Sequence, residues 1–534
     1  MKILRNLSLL LALCAAAAGF AQTAPEFDPD QKLRRAEVII SNFYVDPVDG
    51  DTLVTEAIKA MLKTLDPHSA YTTAEETREF TEPLDGSFSG IGVQFNILED
   101  TVYVIQPTAG GPSERVGILP GDRIIEANDT AIAGVKMGKR DIMKRLRGPK
   151  GSTAKLKIRR GGEDITFNVV RDDIPIYSVD EAFMADPTTG YIRITRFAED
   201  TAQEVAVAMN KLRRRGMKNL IIDLSDNTGG YLGSAFELAA QFLPAGTPVV
   251  STSGRAVRDQ QYNTTGEGDF QNGRVVVIAN QYTASASEIF SGAMQDNDRG
   301  LIVGRRTFGK GLVQRPFQFP DGSMMRLTVS RYYTPSGRCI QKHYDKGHSE
   351  DYQREVFLRM SAGELWSADS IARPDSLLYH TLRNNRPVYG GGGIIPDVFV
   401  PVDTSYYSKY YRDIIAKNVL NRTVINYVEA NRAQLLRRFA DNDRYYAGFT
   451  VPDALTDDLI ARATAEGIDF DQEQWERSAP MIKAVLKGLI SRDLYDQGSY
   501  YRAISELVPD FREALQLIND PERYNALLSG GESQ

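Results

Sequence analysis

Two turns near the middle of the chain carry a hydroxyl and an amine that could act as a nucleophile and a base. The first turn lies in residues 280–290 (NQYTASASEIF), which follow an apolar run and open a segment with helical periodicity. This order places a serine at or near a helix N-terminus, where unpaired N–H groups and the helix dipole stabilise negative charge. A serine that only caps the helix is the competing interpretation. The pattern alone does not choose between Ser285 and Ser287.

Lys310 is the candidate base for such a serine. It lies between Gly309 and Gly311, in a turn that follows the apolar run 301–304. A lysine ordinarily titrates at about 10.4, and burial lowers this pKa because it disfavours the charged ammonium. A neutral lysine that activates a serine is a known variant of the serine–base arrangement. A lysine in an exposed surface loop is the alternative.

A glycine pair offers a third component. Residues 223–230 (DLSDNTGG) end the apolar run 220–224 and open another predicted helix. A glycine N–H in such a turn can face the oxyanion that develops during attack on a carbonyl. An ordinary strand-to-helix turn explains the same residues.

A glycine-rich segment upstream has the features of a peptide-binding strand. Gly90 and Gly92 permit a tight turn with exposed amides, which can hold a terminal carboxylate beside a strand edge that pairs with the peptide. We expect Ile91, Val93 and Phe95 to share one face and to line a pocket for the last side chain. With the later segment LPGDRIIEAN, this region resembles a PDZ domain over about residues 84–172.

The remaining elements divide the chain into regions. A chain of 534 residues is too long for one hydrophobic core. Residues 173–404 alternate strand-like and helix-like runs, which is typical of an α/β core, and a polar stretch at 342–388 predicts an insertion or a mobile excursion. Helical periodicity marks the flanking regions 22–83 and 405–534.

Composition excludes several classes of protein. Apolar residues make up 42% and charged residues 25%, which excludes a mainly disordered chain, a collagen-like repeat and a coiled-coil rod. The formal charge of −7 with mixed signs predicts no attraction to nucleic acid. No zinc-binding spacing of cysteines and histidines occurs, so we expect no metal and no organic cofactor.

Residues 1–21 predict export. A positively charged flank precedes an apolar run that is too short to span a bilayer, and small residues precede a cut after Ala21. Cys14 suggests lipidation, but Leu13 stands where lipoprotein signals have a small residue. We expect a periplasmic or cell-envelope protein, soluble after cleavage. Cys339 is then its one cysteine, so no internal disulfide is expected.

Taken in order, these motifs resemble the carboxyl-terminal processing proteases, which are serine peptidases with a crotonase/ClpP-like core and an inserted PDZ domain. The order is a helical segment, the PDZ-like module, DLSDNTGG, TASASEI, TFGKGLVQ and YYTPSG, over about residues 30–402. The resemblance implies a multidomain α+β fold with helical segments at both ends.

The resemblance also implies roles for single residues. It assigns the nucleophile, the base, the glutamine that holds the base and two backbone oxyanion donors to Ser285, Lys310, Gln314, Gly229 and Ala286, respectively. One position departs from the family, which more often has arginine where this chain has Ser225. The charges beside that turn are therefore open at this point.

The function implied is that of an exported serine endopeptidase. Its PDZ domain would select protein or peptide substrates by their C-termini. A non-catalytic PDZ scaffold on a protease-like core is the alternative. The resemblance thins beyond about residue 402, and we expect residues 405–534 to form a homodimer contact or to dock an adaptor.

Overall fold

The computed structural model describes residues 28–266, 268–496 and 498–531, so the predicted signal at 1–21 lies outside the described residues. Two helices, a short strand and a third helix come first: α1 (Pro29–Phe43), α2 (Gly50–Lys63), β1 (Ala70–Thr72) and α3 (Ala74–Thr81). The carboxylates of Asp28 and Asp49 cap α1 and α2 by accepting from backbone N–H groups two residues on.

The PDZ-like region is an insertion carried on a two-stranded stem. Its elements are β2 (Ser87–Gly90), β3 (Val93–Leu98), β4 (Thr101–Pro107), α4 (Pro112–Arg115), β5 (Arg123–Ala127), β6 (Thr130–Ala131), α5 (Lys139–Leu146), β7 (Thr153–Arg160), β8 (Glu163–Val170) and β9 (Asp172–Pro175). The chain enters through β2 and leaves through β9, and these two strands pair antiparallel. Within the sheet, the order is β3-β4-β5-β7-β8, with β6 beside β5, so β3 lies at an edge.

A six-stranded sheet forms the α/β core, in the order β10-β11-β12-β15-β16-β21, and its last strand is Val398–Phe399. The elements up to the second active-site turn are β10 (Val179–Met184), β11 (Thr189–Ile194), α6 (Thr201–Arg214), β12 (Asn219–Asp223), α7 (Leu232–Ala240), β13 (Pro248–Ser253), β14 (Gln260–Asn263), β15 (Val275–Ala279), α8 (Ala286–Asp296) and β16 (Leu301–Gly304). From β11 to β21 neighbouring strands are parallel. Their continuous apolar runs suit strands that are buried on both faces.

A second sheet includes the N-terminal strand. It contains β1, β13, β14 and the hairpin of β17 (Leu312–Gln318) and β18 (Met324–Tyr333). Because β1 pairs antiparallel with β18, the N-terminal region contributes a strand to the core. This sheet therefore joins the predicted N-terminal segment, residues 22–83, to the predicted core, residues 173–404.

The polar stretch at 342–388 is a folded insertion. It contains α9 (Ser349–Ser361), two single-turn 3₁₀ helices (Ala368–Ser370 and Asp375–Leu377) and a hairpin of β19 (Leu378–His380) and β20 (Pro387–Tyr389), before the chain returns to the core sheet at β21 (Val398–Phe399). The insertion makes polar contacts with the core. Arg359 of α9 is buried and donates to two backbone carbonyls of the 306–307 loop.

The C-terminal region divides into two parts that the sequence did not separate. Its helices are α10 (Lys409–Ala416), α11 (Val419–Arg438), α12 (Asn442–Gly448), α13 (Asp453–Ala465), α14 (Gln472–Leu494), α15 (Ser499–Ser505), α16 (Pro509–Ile518) and α17 (Pro521–Leu528). Helices α10 to α15 build a core of their own. Helix α16 instead places Phe511 and Leu517 against Ile278 of the α/β sheet, on the face opposite α6 to α8, and α17 adds Tyr524 to the same cluster. A buried parallel sheet needs both faces covered, which explains this division.

The helices α10 to α15 also contact the PDZ-like region. Ile425 of α11 packs against Tyr103 and Ile105 of β4, and the Gln106 side chain donates to the Tyr495 carbonyl at 3.1 Å. The dimer or adaptor role expected for residues 405–534 stays a prediction. Within the described ranges, none of the helices is both long and apolar enough to cross a membrane.

Candidate active site

Ser285 occupies a strained position between β15 and α8. Its backbone has φ 58° and ψ −117°, which a residue with a side chain rarely adopts, and its N–H donates to the Glu288 carboxylate at 2.8 Å. The side chain is half-buried and lines a cleft of about 770 Å³. The turn therefore places Ser285 at the cleft.

Ser287 lies differently. It is fully buried, and its hydroxyl donates to the carbonyl of Asn227 at 3.0 Å. Of the two serines that the pattern left open, Ser285 lines the cleft and Ser287 supports the neighbouring turn.

Lys310 lines the same cleft as Ser285. Burial and, secondarily, the charge of Arg326 lower its pKa to about 8, although Glu288 and Asp66 act in the opposite direction. Gly309 has φ 87°, and a Cβ there would lie 3.0 Å from the backbone N of Gly393, so the turn that carries the lysine requires glycine. The side chain of Lys310 forms no ion pair with any carboxylate among the described residues.

Glu288 joins the two turns, and the sequence reasoning missed it. Its fully buried carboxylate accepts from the backbone N–H groups of Ser285 (2.8 Å), Gly309 (2.7 Å) and Lys310 (2.9 Å), and from the Thr307 hydroxyl (2.5 Å). Burial raises its pKa, whereas these four donors favour the ionised form. The S-x-x-E spacing signals a helix cap, but nothing in the sequence signals the contact with the lysine turn.

Tyr332 makes a second connection between the turns. Its buried hydroxyl donates to the carbonyl of Ser285 at 3.1 Å and also contacts the carbonyl of Lys310. The backbones of the nucleophile and base candidates are thus held on both their N–H and their C=O sides.

The expected oxyanion donors are arranged unequally. The Ala286 N–H has no acceptor among the described residues, whereas the Gly229 N–H donates to Asn227 Oδ1 at 2.9 Å. Gly229 nevertheless lies against the nucleophile, since a Cβ there would be 2.7 Å from the Cβ of Ser285. The next amide, of Gly230, has no acceptor within the described part of the chain. The role of Gly229 stays a prediction.

Gln314 also lines the cleft, but its side chain does not bond to the lysine. Its Nε2 donates to Thr328 Oγ1 at 3.2 Å, and that hydroxyl donates to Asp66 at 2.9 Å. In the described residues no hydrogen bond joins Gln314 to Lys310. Its assignment as the residue that holds the base stays a prediction.

An arginine from another strand lies beside Ser225, the position where the family more often has arginine. Arg193 of β11 pairs with Asp223 at 3.0 Å and donates to the carbonyl of Ser225 at 3.3 Å. The ring of Tyr501, from the C-terminal helices, stacks on this guanidinium at 4.1 Å. A positive charge therefore lies beside the turn although residue 225 is serine.

The insertion around helix α9 contacts the loop that leads into the Lys310 turn. Arg359 donates to the carbonyls of Arg306 (2.7 Å) and Thr307 (3.0 Å), and Glu364 pairs with both arginines. These contacts involve buried charge-assisted hydrogen bonds, which fix geometry more strongly than neutral ones.

His68 lies near Lys310 but is not placed as a base. Burial and the neighbouring positive charges lower its pKa to about 3, so it is neutral at pH 7. Its Nε2 lies 2.9 Å from the hydroxyl of Tyr352 on α9. Cys339 is half-buried, and burial raises the pKa of its thiol, which disfavours the nucleophilic thiolate.

The residues expected to bind peptide lie at the stem and the edge of the PDZ-like sheet. Gly90 ends β2, Gly92 has φ 69°, and the edge strand β3 begins at Val93. Ile91 is only 2% exposed and belongs to the core of this region, which corrects the expectation that it lines a surface pocket. Val93 and Phe95 are half-buried against that core, so they keep partial access to solvent.

Comparison with known proteins agrees with this arrangement. Peptidase family S41 matches residues 188–353, the PDZ domain family matches 89–170, and the N-terminal domain family of the activating protease CtpB matches 15–77. A family of unknown function, DUF8443, matches residues 410–496 in the C-terminal helices.

One curated relative decides the family. The carboxy-terminal processing protease CtpB of Bacillus subtilis is 34% identical over 334 residues, which are 61% of this chain and 69% of that protein. The chain belongs to the carboxy-terminal processing protease family. The resemblance seen in the sequence, the multidomain α+β fold and the prediction of a serine-type peptidase are confirmed.

Further members of this processing protease family match in the same way. CtpA of Bacillus subtilis is 34% identical over 313 residues, which are 58% of this chain and 66% of that protein. Among solved structures, the photosystem II D1 C-terminal processing protease is 28% identical and has a TM-score of 0.35, covering 58% of this chain and 83% of that one. The matches to CtpA and CtpB span about two thirds of those relatives.

Proposed function

We propose that this processing protease cleaves peptide bonds with a Ser285–Lys310 dyad. The observation that carries the proposal is that one cleft contains both side chains, while the buried Glu288 carboxylate accepts hydrogen bonds from the backbone of each. A lysine with a pKa of about 8 is neutral in a useful fraction of molecules near neutral pH.

The chemistry proceeds in two halves. Neutral Lys310 takes the proton from Ser285 Oγ as this oxygen bonds to the carbonyl carbon, and the oxyanion forms near the Ala286 N–H. The C–N bond then breaks, and the leaving amine takes the proton from the lysine ammonium. A water molecule gives a proton to Lys310, attacks the acyl ester and releases the acid, and the serine recovers its proton.

A serine-reactive probe and a peptide substrate test the dyad. We expect Ser285→Ala to abolish both labelling and cleavage, and Ser287→Ala, the matched control, to retain measurable activity because its hydroxyl faces Asn227. Lys310→Ala should lose cleavage with an intact fold, and the double variant should lose little more because the two residues act as a unit. Cleavage that persists in Ser285→Ala contradicts the assignment, and a folded chain that cleaves no peptide is the scaffold alternative.

We further propose that the PDZ domain binds substrate C-termini along β3. Support comes from the position of that strand at the edge of its sheet and from the half-buried Val93 and Phe95 beside the Gly92 turn. Peptides ending in a small or apolar residue should bind best, and amidation should weaken binding by about 1–3 kcal/mol because it removes the charge on the acceptor.

Calorimetry on the Ser285→Ala protein tests this recognition. Val93→Asp should weaken binding of the free-acid peptide, whereas Val170→Asp should not, since Val170 is 52% exposed on the far strand β8. Equal affinity for free and amidated peptides refutes the proposal.

Export is the last element of the proposed function. It rests on residues 1–21, whose charged flank and apolar run suit a cleaved signal. Cell fractionation followed by N-terminal sequencing tests it, and a mature chain that begins at residue 22 in the envelope fraction is the expected result.

A further inference from the structure

Arg326 holds an unusual place in the active-site cleft. It lies on β18 and lines the same cleft as Ser285 and Lys310. Its guanidinium stacks on the ring of Phe80 from α3, with 3.9 Å between Cζ and the ring centroid. The ring fixes the guanidinium plane and leaves its edge for hydrogen bonding.

Within the described residues, the Arg326 guanidinium lacks the carboxylate partner that most arginines with buried side chains have. Arg326 forms no ion pair with a carboxylate of the described residues, and its buried Nε has no hydrogen-bond partner there. By contrast, most other arginines with buried side chains pair with a carboxylate, namely Arg193, Arg305, Arg338, Arg359 and Arg386. Buried Arg171 donates instead to the backbone carbonyls of Arg145 and Leu146. A buried donor without an acceptor costs free energy. The unpaired guanidinium of Arg326 is therefore best explained by a bound ligand that supplies the acceptor.

The acidic groups Asp66, which acts on Lys310, and Asp85, which lines the cleft, already accept hydrogen bonds. Both oxygens of the Asp66 carboxylate accept from neighbours, including the hydroxyls of Ser69 (2.5 Å) and Thr328 (2.9 Å). Asp85, the one acidic residue in the described cleft lining, accepts from the hydroxyl of Tyr231 at 2.9 Å.

The cleft is therefore positively charged. Its lining contains Lys310, Arg196 and Arg326 against the single carboxylate of Asp85. Even with Lys310 neutral, the balance is two positive charges to one negative. A bound segment that carries a carboxylate complements this cleft, and a planar guanidinium can hold such a group with two parallel hydrogen bonds.

We propose that Arg326 is a specificity-determining residue that binds a carboxylate of the substrate segment beside the scissile bond. This inference rests on the proposed proteolytic function. The carboxylate has two chemical sources: an aspartate or glutamate side chain close to the cleaved bond, or the terminal carboxylate of a chain that is cut a few residues from its end.

Matched peptide pairs distinguish these sources. One pair differs by Asp against Asn within two residues of the cleaved bond, and a second pair has a free or an amidated terminus two to four residues beyond it. The second pair is measured in the Val93→Asp background, so that recognition by the PDZ domain contributes little. The quantity compared is the ratio of kcat/KM within a pair, because this ratio cancels any effect of a variant on Lys310.

We expect the intact enzyme to prefer the charged member of at least one pair about tenfold or more. Arg326→Gln should bring that ratio close to one, and Arg326→Lys should keep part of it, because a lysine supplies the charge without the planar fork. Arg331→Gln is the matched control, since Arg331 lies exposed on the same strand and should leave the ratio unchanged. Circular dichroism of each variant verifies the fold.

Each outcome has a definite meaning. Loss of preference in the Asp/Asn pair alone assigns the site to acidic side chains, and loss in the second pair alone assigns it to chain termini. A ratio near one for the intact enzyme in both pairs, or a preference that survives in Arg326→Gln, overturns the inference. If the intact enzyme shows no Ser285-dependent cleavage of the neutral peptides, the proposed function itself fails, which is a different result.

Discussion

The neutral form of Lys310 should control the pH dependence of this enzyme. A pKa of about 8 leaves about 9% of the lysine neutral at pH 7, whereas an ordinary lysine with a pKa of about 10.4 is neutral in only about 0.04% of molecules. Since the neutral amine is the active base, kcat/KM should rise about tenfold between pH 7 and pH 9 and then level off. The sign follows from burial, which disfavours the ammonium.

The groups that face Lys310 predict how variants move this profile. Burial is the largest cause of the low pKa, and Arg326 adds to it, whereas Glu288 and Asp66 raise the pKa. Arg326→Gln removes a positive charge, so the ammonium becomes easier to form and the rise should move to higher pH. His68, with a pKa of about 3, stays neutral across this range and adds no titration of its own.

The assay is kcat/KM for a neutral fluorogenic peptide from pH 6 to pH 10, with single-turnover measurements to establish that chemistry limits the rate. Arg331→Gln, exposed on the same strand, should keep the profile of the intact enzyme. A flat profile under chemistry-limited conditions refutes the assignment of the base. Identical profiles for Arg326→Gln and Arg331→Gln refute the electrostatic reasoning.

Two further predictions follow from single contacts. Glu288→Gln places an amide donor where four donors converge, so kcat/KM should fall about tenfold or more, and the pH rise should move to lower pH because a negative charge near Lys310 is lost. Peptide assays across pH measure this, and an unchanged profile speaks against a positioning role. Phe511→Ala should lower the free energy of unfolding by about 3–5 kcal/mol, since its ring packs in the core beneath the sheet, whereas Phe357→Ala, 64% exposed, should change it by less than about 0.5 kcal/mol. Urea denaturation compares the two, and similar losses contradict the assignment of α16 to the sheet core.

Much of the fold was predictable because its signals are local. The order of strand, small-residue turn and helix around Ser285 can be read from adjacent residues, as can the glycines on both sides of Lys310. The alternation of strand-like and helix-like runs over residues 173–404 predicted an α/β core, which the structure confirms. The glycine-rich segment at residues 90–95 and the later LPGDRIIEAN segment indicated a PDZ domain by resemblance, which the family comparison confirms.

Other features depend on residues that are distant in the chain. Ile91 has the alternation of a pocket residue, yet packing against the PDZ core buries it. Glu288 carries only the signal of a helix cap, and its contact with the lysine turn exists because β15 and β16 lie side by side in parallel. Strand alternation and capping patterns describe one element at a time, so they do not reveal which turns meet.

The sequence by itself determined the chemistry available to this protein: a serine at a helix start, a lysine in a glycine turn, a glycine-rich strand for peptides and a family resemblance that joins them. Only the tertiary structure decided which serine faces the cleft, how one buried carboxylate joins both turns, and that α16 and α17 complete the core sheet. Among the described residues, it also gave Arg326 no carboxylate partner beside the candidate dyad. The physical reason is that residue type and spacing set local backbone preference, whereas burial, pKa and charge pairing arise from neighbours that the folded chain brings together.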